Sequence, residues 1–153
     1  MSDLRVELLV VGGGLSGALL AIACAGAGIE TALVDRETPG AMLAEPFDGR
    51  TTALAYGSQQ VLEGLGLWAE IAAEAGPIRE IRVADGASPL FLHYDHRDIG
   101  DRPLGYIVEN RVLRRMLWRQ ARRLPSLTVL APATVAGVTG DDSGADAMLT
   151  DGR

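Results

Sequence analysis

The chain has 153 residues, 48% of them hydrophobic, which is enough apolar material for one packed core and too much for a disordered segment. All 14 basic residues are arginine and face 20 acidic ones, for a formal charge of −6, a balance that speaks against a nucleic-acid partner. Cys24 stands alone, which excludes an internal disulfide and fits a reducing compartment, and no apolar run approaches the roughly 18 residues of a membrane span.

In chain order, Val6 to Val11 is nearly continuous apolar sequence, as in a strand covered on both faces. Gly12-Gly13-Gly14-Leu15-Ser16-Gly17 follows as a turn. Ala18 to Ala27, rich in Ala and Leu, reads as a helix with Gly28 as its C-terminal cap. Glu30 to Val34 reads as a second strand that closes on Asp35 and Arg36. Strand, glycine turn, helix and strand within about 30 residues make a βαβ unit.

Each glycine of the turn has a job. Gly12 permits the tight exit from the strand, Gly14 lets a pyrophosphate approach the backbone, and Gly17 lets the helix pack closely on the sheet. The helix N-terminus then offers unpaired N–H groups and partial positive charge to the phosphates. Asp35, at the end of the next strand, can accept hydrogen bonds from an adenosine ribose and would repel a 2′-phosphate. Together these features predict dinucleotide binding. On the residues alone the unit suits FAD and NAD equally, because both carry the ADP half.

Further on, Thr38 to Gly57 reads as irregular, punctuated by Pro39, Gly40, Pro46 and Gly49. Ser58 reads as the N-cap of a helix ending near Gly64 or Gly66, and Leu67 to Ala75 as a second short helix broken by Pro77. Ile78 to Ala84 alternates like a half-exposed strand. Asp85-Gly86 marks a turn into a strand at Leu90 to Tyr94, and Leu104 to Val108 reads as a third strand after a polar loop. Asn110 is expected to cap a helix whose Val112, Leu113, Met116, Leu117, Ala121 and Leu124 repeat at helical spacing. Leu127 to Leu130 reads as a short buried strand and Thr134 to Thr150 as a β-meander. Leu149 to Arg153 reads as a strand entering an Asp-Gly turn, which raises the expectation of a chain that continues. His93, Asp95, His96 and Asp98 invite a metal reading, but they fall on a strand end and a loop with no cysteine, so the expectation is a polar loop and no metal. Trp68 and Trp118 are expected to be packing residues, and Glu109 to pair with an arginine.

Four segments carry a family resemblance. They are Val10 to Gly17, Ala32-Leu33-Val34-Asp35-Arg36, Asp48-Gly49-Arg50-Thr51-Thr52-Ala53-Leu54-Ala55, and Gly105-Tyr106-Ile107-Val108-Glu109-Asn110-Arg111-Val112-Leu113. Through them the whole chain resembles the FAD-dependent aromatic-ring hydroxylases, and within these the ubiquinone-biosynthesis hydroxylases, of the 2-polyprenyl-6-methoxyphenol hydroxylase type. The segment containing Arg50 is specific to that branch.

The resemblance implies an α/β fold: a Rossmann-like FAD-binding βαβ domain with a central parallel sheet, a β-meander, and the start of a mixed-sheet substrate domain. Residues 1–77 would be the first part of the FAD-binding domain, 78–108 the beginning of the substrate-domain sheet, and 109–153 the return to the FAD-binding domain. The implied cofactor-binding set is Gly12, Gly13, Gly14, Leu15, Ser16, Gly17, Asp35, Arg36, Arg50, Arg111 and Val135. Arg50 would meet the flavin side, Arg111 the pyrophosphate or ribityl chain, Arg36 the adenine or ribose, and Val135 the adenine. A guanidinium can give phosphate two hydrogen bonds at once. Arg111 also stands in the first turn of its helix, where the dipole disfavours a cation without an anion nearby.

FAD as cofactor, NADH or NADPH as reductant, molecular oxygen, and a polyprenylated phenol as substrate complete the expectation. So does a cytoplasmic location, with contact to the inner membrane or to a ubiquinone-synthesis complex left open. The family's later Gly-Asp element and its catalytic residues lie outside these 153 residues, so this piece alone is expected neither to hold FAD tightly nor to hydroxylate. Two alternatives remain at this level: an NAD- or FAD-dependent oxidoreductase of another substrate class, and a non-catalytic dinucleotide-binding module.

Overall fold

The computed structural model describes residues 4–38, 40, 49–86 and 90–153. Pro39, Pro46 and Asp48, named above as punctuation and as part of a motif, lie outside the described residues. Contacts divide the chain into two compact units, residues 1–46 with 113–153, and residues 47–112.

The first unit is built on a three-stranded parallel sheet. Strand β1 (Leu8–Val11) pairs with β2 (Thr31–Val34), and β2 pairs on its other side with β8 (Leu127–Leu130). Every residue of central strand β2 is buried, as expected of a parallel strand covered on both faces. Helix α1 (Leu15–Gly26) connects β1 to β2. Its buried residues Ala18, Ala21, Ile22 and Ala25 share one face, and three of the four are alanine, so the helix lies close on the sheet. It ends two ways at once: the Ile29 amide donates to the Cys24 carbonyl (3.1 Å) and the Gly28 amide to that of Ala25 (3.0 Å), with Gly28 at φ +87°. This double closure needs a left-handed residue, which glycine supplies without strain.

A helix and a hairpin also belong to this unit. Helix α4 (Asn110–Ala121) places Leu113, Met116, Leu117, Trp118 and Ala121 in the core, and the unit boundary crosses its first turn. Strands β9 (Val135–Asp141) and β10 (Gly144–Leu149) form a two-stranded antiparallel hairpin where a meander was expected.

The second unit contains a sheet of order β3-β7-β4, where β3 is Thr51–Ala55, β4 is Gly76–Ile78 and β7 is Gly105–Glu109. A separate antiparallel hairpin pairs β5 (Glu80–Ala84) with β6 (Phe91–Asp95). Helices α2 (Tyr56–Gly64) and α3 (Trp68–Ile71) follow β3, and a 3₁₀ turn at Ala72–Glu74 extends the latter. Leu62, Leu67, Ile71, Val108 and Val112 are buried here.

Two details depart from the sequence reading. Thr51–Ala55 is a strand inside the stretch read as irregular, because its β-branched threonines and alternating exposure suit an edge paired only with β7. Strand β3 belongs to the second unit. The helical stretch ends at Glu74, before Pro77 as expected, and Pro77 itself lies within β4, an edge strand where a missing N–H is tolerated. Ser58 sits inside α2, which starts at Tyr56 after Ala55 with no side-chain cap. Among the described residues, no helix is long and apolar enough to cross a membrane.

Candidate functional site

The glycine turn leaves β1 and enters α1 through backbone geometry that only small residues allow. Gly12 has φ +103°, and its amide donates to the Val34 carbonyl at 2.8 Å, which ties the turn to β2. A Cβ on Gly17 would stand 2.0 Å from the Gly12 carbonyl oxygen, so the first helical turn nests on the loop. Gly14 is the N-cap, extended at φ −63° and ψ −177°, with no side-chain cap and no acidic residue in the first turn. A Cβ there would meet no heavy atom within 4 Å. The positive end of α1 thus faces open space beside bare backbone, an arrangement that fits a phosphate. Leu15 and the exposed Ser16 open the helix at this end.

Asp35 stands across the loop. Its Oδ2 accepts the Gly13 amide in a short hydrogen bond, and its Oδ1 accepts the Glu37 amide at 2.7 Å. Its own amide donates to the Leu130 carbonyl (3.0 Å), and its carbonyl accepts the Ala133 amide (2.7 Å). The carboxylate is therefore held from both sides and each oxygen keeps acceptor capacity, which suits the two hydroxyls of a ribose. The Arg36 side chain is 81% exposed, with Glu37 Oε1 3.7 Å from its Nε. Val135 opens β9 opposite Leu149, half-buried in the same unit.

The two remaining arginines lie in the second unit, where the fold brings them together. Thr51 pairs with Glu109 in the β3–β7 ladder, and the Asn110 amide donates to the Arg50 carbonyl at 3.1 Å. The Thr52 hydroxyl adds a 2.6 Å bond to Asn110 Oδ1. Asn110 is thus the residue that joins the Arg50 segment to the start of α4. Arg111 donates from Nε to Glu109 Oε2 at 2.5 Å, with the two side chains 48% and 35% exposed. The cation in the first helical turn therefore has a carboxylate partner within the chain, in line with the expectation for Glu109.

The metal-like cluster resolves differently. Glu80, His93 and Asp95 come within 4.8 Å of one another on the β5–β6 hairpin, while His96 and Asp98 fall in the 3₁₀ turn that follows. Asp95 is committed elsewhere: Arg97 donates to both its oxygens, at 2.5 to 3.1 Å, and its backbone amide adds a further bond at 2.9 Å. Those hydrogen bonds hold the Asp95 carboxyl well below its usual range.

Sequence reasoning missed two features of the site. The Leu130 and Ala133 backbone groups that clamp Asp35 carry no side-chain signal. Trp118 was read as a packing residue with no particular neighbour, yet a Cβ on Gly13 would come within 2.9 Å of its Cζ2.

Comparison with known proteins places this geometry. The chain is 44% identical over 152 residues to the ubiquinone hydroxylase UbiL of Rhodospirillum rubrum, covering 99% of this chain and 35% of that protein. It is 30% identical to the ubiquinone hydroxylase UbiM of Neisseria meningitidis, covering 99% of this chain and 34% of that one. The chain thus spans about a third of the length of the curated relatives it matches. Among solved structures, the flavin-dependent monooxygenase PieE in complex with FAD and substrate aligns over all of this chain and 28% of its own (TM-score 0.75, 21% identity). P. aeruginosa PqsL aligns over 97% of this chain and 40% of its own (TM-score 0.75, 23% identity). These two likenesses speak to the fold. Residues 5–153 match the FAD binding domain model, nearly the whole length, and the chain belongs to that family.

Proposed function

We propose that this chain is the N-terminal, ADP-reading portion of an FAD-dependent monooxygenase that hydroxylates the aromatic ring of a polyprenylated phenol in ubiquinone synthesis. The observation that carries the proposal is the Asp35 carboxylate fastened to the Gly13 amide beside an uncapped helix N-terminus, in a chain of the FAD binding domain family. The likeness to UbiL and UbiM supports the substrate class.

In this reading the amides at the start of α1 and the bare backbone at Gly14 hold the pyrophosphate, and Asp35 holds the adenosine ribose. Val135 and Arg36 flank the adenine side, and Arg50 and Arg111 serve the rest of the cofactor. When bound, FAD supplies electron transfer from NADH or NADPH and the activation of oxygen. The protein's part is orientation and exclusion of water. Asn110 ties the Arg50 backbone to the first turn of α4, which carries Arg111. Arg111 can exchange or share Glu109 for phosphate, and Glu109 keeps the guanidinium oriented meanwhile. A cytoplasmic protein touching the inner membrane only peripherally, where a prenylated substrate resides, completes the proposal.

The test is reconstitution of the full-length protein with FAD, followed by NADH or NADPH oxidation assayed with and without a polyprenylated phenol. A product carrying one added ring oxygen supports the reading, and Asp35→Ala should weaken FAD binding about tenfold or more. Flavin binding with turnover only on a non-aromatic substrate would favour another oxidoreductase class. No flavin binding would leave a non-flavin module.

A further inference from the structure

Trp118 lies on α4 with 1% of its surface exposed. The space a side chain at Gly13 would need is already taken: a Cβ there would stand 2.9 Å from Trp118 Cζ2, and 3.1 Å from both Cβ and Oδ2 of Asp35. The Gly13 backbone, the Asp35 side chain and the outer edge of the indole therefore meet at one point, and the Gly13–Asp35 hydrogen bond lies within it. The indole Nε1 is buried without a hydrogen-bond partner among the described residues. A buried tryptophan ordinarily finds one. The contact with Gly13 is made by the bulk of the ring, at Cζ2.

We infer that Trp118 is a positioning residue for the ADP subsite, propping Gly13 against Asp35 and so fixing the carboxylate where it meets the ribose hydroxyls. The inference rests on the cofactor reading proposed above. Gly13 has no side chain to hold its own place, so the loop takes its position from what it lies against. Removing the ring leaves a void into which loop and carboxylate relax, and hydrogen bonds to a diol weaken steeply with small displacements. A buried residue of the same helix that is not among the nearest neighbours of a Gly13 Cβ, such as Met116, supports the fold without setting the carboxylate.

Binding of ADP and of 2′,3′-dideoxy-ADP to the full-length protein, measured by calorimetry, separates the two roles. The unsubstituted protein should prefer ADP. Trp118→Ala should lose about tenfold in ADP affinity, the worth of about one charge-assisted hydrogen bond, with little change for the dideoxy nucleotide. Trp118→Phe keeps apolar bulk in the core but lacks the Cζ2 atom, so it should fold and still show a selective loss of about threefold. Met116→Ala should lower stability while leaving the preference for ADP intact. Equal losses on both nucleotides in the Trp118 variants, or no loss in either, overturn the inference, as does an unsubstituted protein that binds both alike. An unsubstituted protein that binds neither nucleotide overturns the cofactor reading, and the inference falls with it.

Discussion

Gly17 and Gly14 belong to one motif but answer to different constraints. A methyl group on Gly17 would overlap the Gly12 carbonyl oxygen at 2.0 Å, and that atom is backbone tied into the loop, so it cannot step aside cheaply. Gly17→Ala should cost roughly 3 kcal/mol of stability, at the upper end for overpacking. At Gly14 the same methyl would meet nothing within 4 Å, and φ is −63°, so no strain arises. Gly14→Ala should leave stability within about 0.5 kcal/mol. It should nevertheless weaken FAD binding about tenfold, because the methyl occupies the approach of the pyrophosphate. Chemical denaturation beside flavin titration of the two variants checks this. A Gly14→Ala protein with full FAD affinity would mean that the phosphates do not lie over this turn.

At the scale of elements, hydrogen bonding decides which segments act together. The β3–β7 ladder brings Arg50 beside Asn110 and Arg111, although the sequence between them holds three other strands and two helices. The β5–β6 hairpin has a local device of its own. Arg97 turns back on Asp95 at the end of β6 and closes the 3₁₀ turn that follows. The bonds from Arg97 lower the Asp95 pKa in the folded state below its ordinary 3.8. The sign follows: the unfolded chain takes up a proton at higher pH than the folded one, so the contribution is complete above 3.8 and is lost as pH falls below it. Arg97→Ala should bring the Asp95 titration back toward 3.8, read by NMR of its side-chain carboxyl. The stability difference between variant and parent should shrink as the solution is acidified from pH 5 toward the acid limit. A difference that stays constant with pH would show that Arg97 acts through packing rather than charge.

Across the whole molecule, the features legible in the sequence were those that local chemistry dictates. The βαβ unit, Gly28 as terminator of α1 and the strand Leu127–Leu130 could be read because apolar runs and glycines mark them directly. What could not be read depended on partners far along the chain. Strand β3 exists because β7 pairs with it. Pro77 is tolerated because β4 lies at an edge, and Trp118 matters because β1 and α4 bring it to Gly13. The same logic governs how stability is distributed. Strand β2 is wholly buried and bonded on both sides, to β1 and to β8. Among the described residues the β5–β6 hairpin forms a two-stranded sheet of its own, and Ile81, Val83, Phe91, Leu92 and Tyr94 are each at least 40% exposed. A two-stranded ribbon without a covered face is marginal in water. Amide hydrogen exchange of the 153-residue chain should therefore show β2 exchanging at least about a hundredfold more slowly than β5 and β6, with protection in β2 approaching that of global unfolding. Equal protection in the two places would mean that the hairpin's apolar residues are covered in solution and that its stability is not its own.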